Sequence, residues 1–442
     1  MVSAKSFIRA VRRNTSGAVA IIYALALPAL VGFAGLSAEV GYWYVSKRDL
    51  QSAADAGAVA GALEMTYGGD KFDIRDQALA EAKRNGFSNT GGATIAVNRP
   101  PLHGAYTGDS TAVEVVLVVP RHPMFFSIFS NKDVDIGARA VGRQTPGGDA
   151  CVLALSKTAH DAVKIWGSTS LNLNGCIVAS NSKQSDSLSM GGSSTLNAES
   201  LWTAGNIYQG SNASVSLAHD PVEQGYPLND PYAGTPIPTA GPSSYSYKAN
   251  DISGTMTLQN AGDPANPTMI TTPSTSLHLT SSDDINLEPG IYVFDNVSLK
   301  VDGGATLSCN LCSPGGLGVT LVFTGSSSSQ VGSVDINGGA SVTLNATASG
   351  TYSGMLFFQD PIAPNTNSSA SDFNGGANIQ LTGALYFPSS DVTVTGNVGG
   401  SSECTLVVSD TVQFTGSSTL ETTKCSNYGY KIASSIRVTL VE

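Results

Sequence analysis

The chain has 442 residues, enough for two or three domains. Its 48 glycines and 13% charged residues disfavour a soluble helical enzyme and suit many short strands joined by tight turns. Its net charge of −11 is uneven: residues 1–148 carry 15 Lys and Arg against 12 Asp and Glu, residues 149–442 carry 8 against 22, and so acidic a C-terminal part argues against nucleic acid and against an anionic membrane surface as partners.

Residues 14–38 contain no charge, and Gly17–Leu36 reads GAVAIIYALALPALVGFAGL. About 20 apolar residues at ~1.5 Å rise cross a ~30 Å hydrocarbon core. Lys5, Arg9, Arg12 and Arg13 precede the run, and the first charge after it is Glu39. The positive-inside rule places residues 1–13 in the cytoplasm as a basic tail, 14–38 as a transmembrane helix, and the rest outside. Pro28 is tolerated in a membrane helix. A cleaved signal peptide is the rival, but the run is long for one and lacks a good small-residue cleavage site. Processing by a prepilin-type peptidase after Gly17 is a second rival; Ile22 and Tyr23 stand where such substrates usually carry Glu.

The helix should continue past the bilayer. Tyr42, Trp43 and Tyr44 form an aromatic belt at its exit. Ala53, Gly57 and Gly61 recur every four residues and form a small-residue stripe on one face, which lets another helix approach closely. That helix belongs either to a partner protein or to this chain.

The order RRNTSGAVAIIYALALPALVGFAGLSAEVGYWYVSKRDLQSAADAGAVAGAL resembles the N-terminal module of TadG-like proteins of the Tad (Flp, tight-adherence) pilus-assembly system. Arg48–Ala56 is the most specific part, and the likeness covers roughly residues 12–66. The resemblance implies pilus-assembly or minor-pilin membrane proteins as partners, in the inner membrane. Many TadG-like proteins carry a von Willebrand A domain with a D-x-S-x-S metal motif. Asp186-Ser187-Leu188-Ser189 has the wrong spacing, so no such metal site is expected.

Residues 39–148 are read as a small α/β module of the TadG-like type. Residues 70–87 form an amphipathic helix, with Ile74, Ala78, Ala82 and Phe87 inward and Asn85-Gly86 as its stop. Residues 94–97, 112–119 and 133–141 alternate as strands, and 124–129 is a short apolar segment. His103 and His122 lie beside proline turns and are read as solvated.

From Asp149 onward a pattern of apolar, x, Gly, small, small, x, apolar recurs. Copies are Ile165–Leu173, Met190–Leu196, Asp302–Leu307, Asn337–Leu344, Asn374–Leu381 and Phe414–Leu420. The glycines are 24 residues apart between Gly167 and Gly191, then 35, 37 and 41 apart through Gly303, Gly338, Gly375 and Gly416. Irregular repeats of alternating strands hinged at Gly predict a parallel β-helix, a solenoid over 149–442. A β-sandwich fits the strand count as the alternative. Residues 220–276, rich in Pro, Ser, Thr, Gly and Asn, read as an excursion between early and late coils. This half also resembles the distal region often joined to TadG-like N-termini, through phrases such as Ala150–Leu155, Leu287–Tyr292 and Gly383–Pro388.

Six cysteines fall into three sequence-local pairs: Cys151 with Cys176, Cys309 with Cys312, and Cys404 with Cys425. Many pairings are open to six cysteines, but an oxidising compartment and an even count favour structural disulfides. Cys309-x-x-Cys312 as a zinc or redox pair lacks a second pair and a βαβ setting. Asp283 and Asp284 are sequence neighbours that would point to opposite sides of a strand, Asp335, Asp360, Asp372 and Asp391 are scattered near turns, and His160, His219 and His278 share no motif.

The expected fold is α+β: one transmembrane helix, a small pilin-like α/β module, and a mainly-β solenoid. No catalytic residue, cofactor or metal is expected. The expected role is a structural or adhesive component of a Tad-like pilus system, outside the cytoplasm apart from its basic tail. The alternatives are an envelope glycan-binding module and a polysaccharide-cleaving β-helix enzyme.

Overall fold

The structure is a computed structural model that describes residues 16–128, 130–364, 370–374, 378–396, 404–422, 428 and 430–442. They fall into two compact units. One reaches Pro146 and takes in Ile436–Glu442; the other is Gly147–Ser435.

The first unit begins with α1, Ser16–Thr66, one continuous helix of 51 residues with Pro28 inside it. At ~1.5 Å per residue this is more than twice the thickness of a hydrocarbon core. Among the described residues it is the one helix long and apolar enough to cross a membrane. Gly68, at φ 81°, ends it, and the amides of Gly68 and Gly69 bond back to Met65 and Glu64 carbonyls. The second helix, α2 (Lys71–Arg84), starts at a capping box in which Asp70 accepts from the Phe72 and Asp73 amides and Asp73 returns the bond, satisfying donors that a helix start leaves open. It buries Ile74, Ala78 and Ala82.

Three antiparallel strands follow: β1 (Thr94–Asn98), β2 (Ala112–Arg121) and the start of β3 (Val134–Ala154). Leu50, Ala53, Ala54 and Ala58 of α1, Ala78 of α2, and Val115, Leu117, Ile136 and Ala140 of the sheet share one core. The sequence suggested one covering helix; the extension of α1 is a second cover. The apolar segment after β2 holds a 3-10 turn at Phe126–Ile128.

In the second unit each turn of the chain lays one short strand on each of three sheets. Gly290–Asp295, Ser298–Val301 and Thr306–Ser308 make one coil. Val319–Thr324, Val334–Ile336 and Ser341–Asn345 make the next, and each strand pairs in parallel with its counterpart. This is a parallel β-solenoid. A β-sandwich needs antiparallel neighbours, and every strand pairing described in this unit is parallel. Alternate residues point inward, so Phe294, Phe323, Phe357 and Phe387 stack through the core with centroids 4.7 to 6.5 Å apart between neighbours.

Coil order is not chain order. From Ser246 the coils climb in sequence to Thr405–Phe414 and Thr419–Thr422. Those last strands then pair with the first strands of the unit: Val407 with Val152, Val412 with Val163 and Leu420 with Leu171. Residues 149–217 continue the stack from there.

Residues 218–245 must therefore run back along the whole pile. Trp202 Nε1 donates to the Tyr226 carbonyl (2.8 Å), and Asn181 exchanges two hydrogen bonds with Leu228. Tyr386 OH donates to Asp230 (2.8 Å), and Tyr352 OH to the Pro236 carbonyl (2.8 Å). From 226 to 236 this strap crosses about five coil spacings, roughly 24 Å, within the ~33 Å reach of ten extended residues. Composition suggested one excursion over 220–276. Strands Ser246–Lys248, Thr255–Leu258 and Thr268–Thr271 lie inside that range, too short to stand out among Ser, Thr and Pro.

Several corners between the second and third strands of a coil are built on glycine. Gly416 (φ 68°), Gly167 (φ 84°) and Gly192 (φ 66°) succeed one another up the stack. The Ser168 amide donates to the Gly416 carbonyl (2.7 Å) and the Ser193 amide to the Gly167 carbonyl (2.8 Å). A Cβ on Gly167 would lie 2.7 Å from the Gly416 oxygen. Two residues on, Ser418, Thr169 and Ser194 turn inward and are buried.

Gly167→Ala should therefore cost about 2–4 kcal/mol, from left-handed strain plus overpacking. Gly234→Ala, also at positive φ (73°) but with nothing within 4 Å, should cost only about 1 kcal/mol. Urea midpoints followed by Trp fluorescence check this; equal losses would refute the close approach.

Candidate functional site

The small-residue stripe of α1 meets this chain's own elements. Ala53 is fully buried. A Cβ on Gly57 would lie 3.2 Å from the Ala78 carbonyl of α2, and one on Gly61 would lie 3.0 Å from Val113 of β2. Of the two partners the sequence left open, the structure shows the intramolecular one for Ala53, Gly57 and Gly61. The outward-facing residues of the apolar stretch of α1 are exposed, Leu25, Leu27, Leu30 and Phe33 among them.

Glu39, the first charge after the apolar run, is fully buried. Its two carboxylate oxygens accept the amides of Met124 and Phe126, both at 2.7 Å. Sequence reasoning gave Glu39 no role beyond marking the end of the membrane stretch, because its partners lie 85 and 87 positions away.

A second buried acid, Glu114 on β2, accepts from Arg139 Nε (2.6 Å), Asn98 Nδ2 (2.8 Å) and the Leu102 amide (3.1 Å). Arg139 also bonds Glu442 and the His103 carbonyl. Burial pushes the Glu114 carboxyl up, but the hydrogen bonds from Arg139, Asn98 and Leu102 outweigh it and hold the pKa below the usual range. Through Glu442 and the bond of the Ala105 amide to it (2.6 Å), this network fastens the strand Ser434–Leu440 and its continuation to the unit.

On the solenoid, most singled-out acids hold turns. Asp283 accepts from the Gly254 and Thr280 amides, Asp360 from the Ile362 amide and Thr324, and Asp391 from Thr411. Asp335 and Asp372 differ. They are direct neighbours on adjacent coils, in an outward column His278, Lys300, Asp335, Asp372, Thr393. Asp335 and Asp372 are 37 positions apart in the chain, which hid this alignment. Lys300 Nζ lies 3.5 Å from both Asp335 and Asp302, and His278 Nε2 lies 2.7 Å from Asp302. Burial, and then the charge of Asp335, raises the Asp372 carboxyl above its ordinary value.

Cys151 and Cys176 form a disulfide with Cα atoms 5.6 Å apart, joining neighbouring coils. Cys309 and Cys312 form another across a turn, which removes the thiolates a zinc site there would need. Cys404 is disulfide-bonded; its expected partner, Cys425, lies outside the described residues. Gly17 falls in the first turn of α1, and the basic tail before it lies outside the described residues.

A long apolar helix followed by a small antiparallel module and a parallel β-solenoid defines a mainly-β protein led by one helix long and apolar enough to cross a membrane. Residues 17–64, the apolar stretch of α1 and nearly all its extension, match the Tad family model, described as Flp pilus-assembly TadE/G-like. The chain thus carries an N-terminal TadE/G-like domain, and this match and the apolar helix fit a membrane-anchored protein with a pilus-associated role. No curated protein and no solved structure matches the chain.

Arg139→Met should leave Glu114 buried without its cation and cost about 3 kcal/mol, the low end for breaking a buried pair because Arg139 is partly exposed. In the native chain the stabilisation from Glu114 is present above the ordinary carboxylate pKa and fades as pH falls through its lowered value. In Arg139→Met the carboxyl rises, so the acid-unfolding transition should move to higher pH. Acid titration by circular dichroism checks the direction.

Proposed function

We propose that the chain is a non-enzymatic structural or adhesive component of Tad-like (Flp) pilus assembly. In this reading α1 crosses the inner membrane with its basic tail in the cytoplasm. The solenoid stands in the periplasm or at the cell surface. The family match over residues 17–64 carries the assignment. The apolar surface of α1 supports it as the face that minor-pilin or assembly helices meet, because its small-residue stripe is already occupied within the chain. The solenoid adds a long, acidic, Ser/Thr/Asn-rich surface for contact outside the cell.

A second reading, binding or cleavage of envelope glycan, is favoured by the column from His278 to Asp372. A carboxyl with a raised pKa beside a second carboxylate is the arrangement that glycoside chemistry uses.

The test is a gene deletion restored with two chains: the full chain, and one in which 147–435 is replaced by a short Gly-Ser link. The Thr145 hydroxyl donates to the Arg437 carbonyl (3.4 Å), so a short link spans the cut. Loss of surface fibres restored by both chains places the assembly function in the first unit. Restoration by the full chain alone makes the solenoid part of the machine. Unchanged fibres in the deletion overturn the pilus reading. Product release from glycan that is abolished by Asp372→Asn would overturn the non-enzymatic one.

A further inference from the structure

We infer that Met124–Ile128 is a second membrane-seated element, an apolar hook that inserts into the outer leaflet beside α1 and is held there by Glu39. The inference rests on the reading of α1 as a membrane anchor and adds a lipid contact to it.

Four side chains of this segment stand in the open although all are apolar: Met124 (54% exposed), Phe125 (46%), Phe126 (41%) and Ile128 (80%). A run this apolar and this exposed on one short turn marks a surface that water does not solvate well. Its place in the fold identifies the solvent. The Phe125 ring lies over Gly35, where a Cβ would come within 2.6 Å of the ring. Gly35 is one residue inside the end of the apolar run at Leu36. Phe125, Phe126 and Ile128 share an apolar groove of about 660 Å³ with Pro28, Val31, Phe33 and other residues of α1. Pro28 to Leu36 covers about 12 Å of helix, so the groove opens at the depth of the outer leaflet if Gly17–Leu36 fills the bilayer.

The backbone gives an independent argument. An irregular segment at hydrocarbon depth must satisfy its amides from within the protein, because lipid offers no acceptor. The hook is irregular, and both oxygens of the buried Glu39 carboxylate are spent on its Met124 and Phe126 amides. The Ser127 hydroxyl closes onto the Met124 carbonyl, and the Ser130 amide onto the Phe126 carbonyl. These acceptors all come from within the protein, as hydrocarbon depth requires. Beyond Pro123 on one side and Phe129 on the other the chain turns polar, with Arg121 and His122 before it and Ser130, Asn131, Lys132 and Asp133 after it. His122 pairs with Asp133 at 3.0 Å. That profile, an apolar tip and a charged rim, fits acyl chains below and headgroups above. Gly35 leaves space for Phe125, and Glu39 fixes the backbone.

The full chain in phosphatidylcholine nanodiscs, with a polarity-sensitive dye on single added cysteines, tests this. Labels go at Leu27→Cys for the anchor, Ile128→Cys or Phe126→Cys for the hook, and Ser329→Cys for exposed solenoid. Nitroxide-bearing lipids serve as quenchers. We expect strong quenching at 27 and at 126 or 128, and none at 329. Glu39→Ala should at least halve quenching at 128 and leave 27 unchanged. Quenching at 27 with both hook labels behaving like 329 would overturn the hook while the anchor stands. Absence of quenching at 27 and the hook alike would overturn the anchor reading and the hook with it. Unchanged quenching at 128 in Glu39→Ala would overturn the role given to Glu39.

Discussion

The solenoid depends on how closely one coil lies on the next at its glycine corner. Parallel strands must sit about 4.8 Å apart for their ladder bonds to form. At the corner the peptide of one coil faces the peptide of the next directly, as Gly167 faces Gly416 and Gly192 faces Gly167. A side chain there would press against the neighbouring peptide and strain the ladder on the flanking strands. The inward Ser418, Thr169 and Ser194, with Ala305 and Ala340 at the equivalent place in later coils, keep the inside of the corner narrow for the same reason. The Phe column and the aliphatic core then fill the space these corners enclose.

The same dimension explains what was legible in the sequence. The apolar run, the stripe of Ala53, Gly57 and Gly61, and the Gly-small-small repeats are local patterns, and among the described residues each maps onto the element it implied; residues 375–377 of the copy Asn374–Leu381 lie outside them. The repeats announce parallel coils because Gly-small-small recurs wherever a corner must be tight. They do not announce the order of the coils. The copies around Gly167 and Gly416 carry the same Gly-small-small pattern, so nothing in that pattern says that these two meet. That information resides in the strap, where Leu228, Asp230 and Tyr232 read as ordinary Pro-rich loop until Asn181 and Tyr386 are seen beside them.

The buried acids were illegible for a related reason. Glu39 and Glu114 look like routine charges in sequence, one after an apolar run and one in a strand. Their partners are backbone amides and an arginine that only the fold delivers. The alignment of Asp335 with Asp372 needs the coil length, and unequal corner loops hide it. Cysteine pairs were easier, since Cys151 and Cys176 sit one coil apart in a part of the chain where coils are short.

The position of the chain's entry and exit has a mechanical meaning. The unit is entered at Gly147 and left at Ser435, and both strands meet at one level of the pile. The Ala150 amide donates to the Ala433 carbonyl (2.7 Å), and the Ser434 hydroxyl to Asp149 (2.5 Å). That level has coils on both sides, Thr405–Phe414 below and Ser170–Ser180 above. A solenoid tethered at its last coil peels under tension, one ladder at a time, like a zipper drawn from its end. Here a pull through the tether loads an interior seam, where several ladders and the Cys151–Cys176 crosslink must shear together. Neither outermost coil bears the tension first, so the two ends of the pile can fray without releasing the anchor.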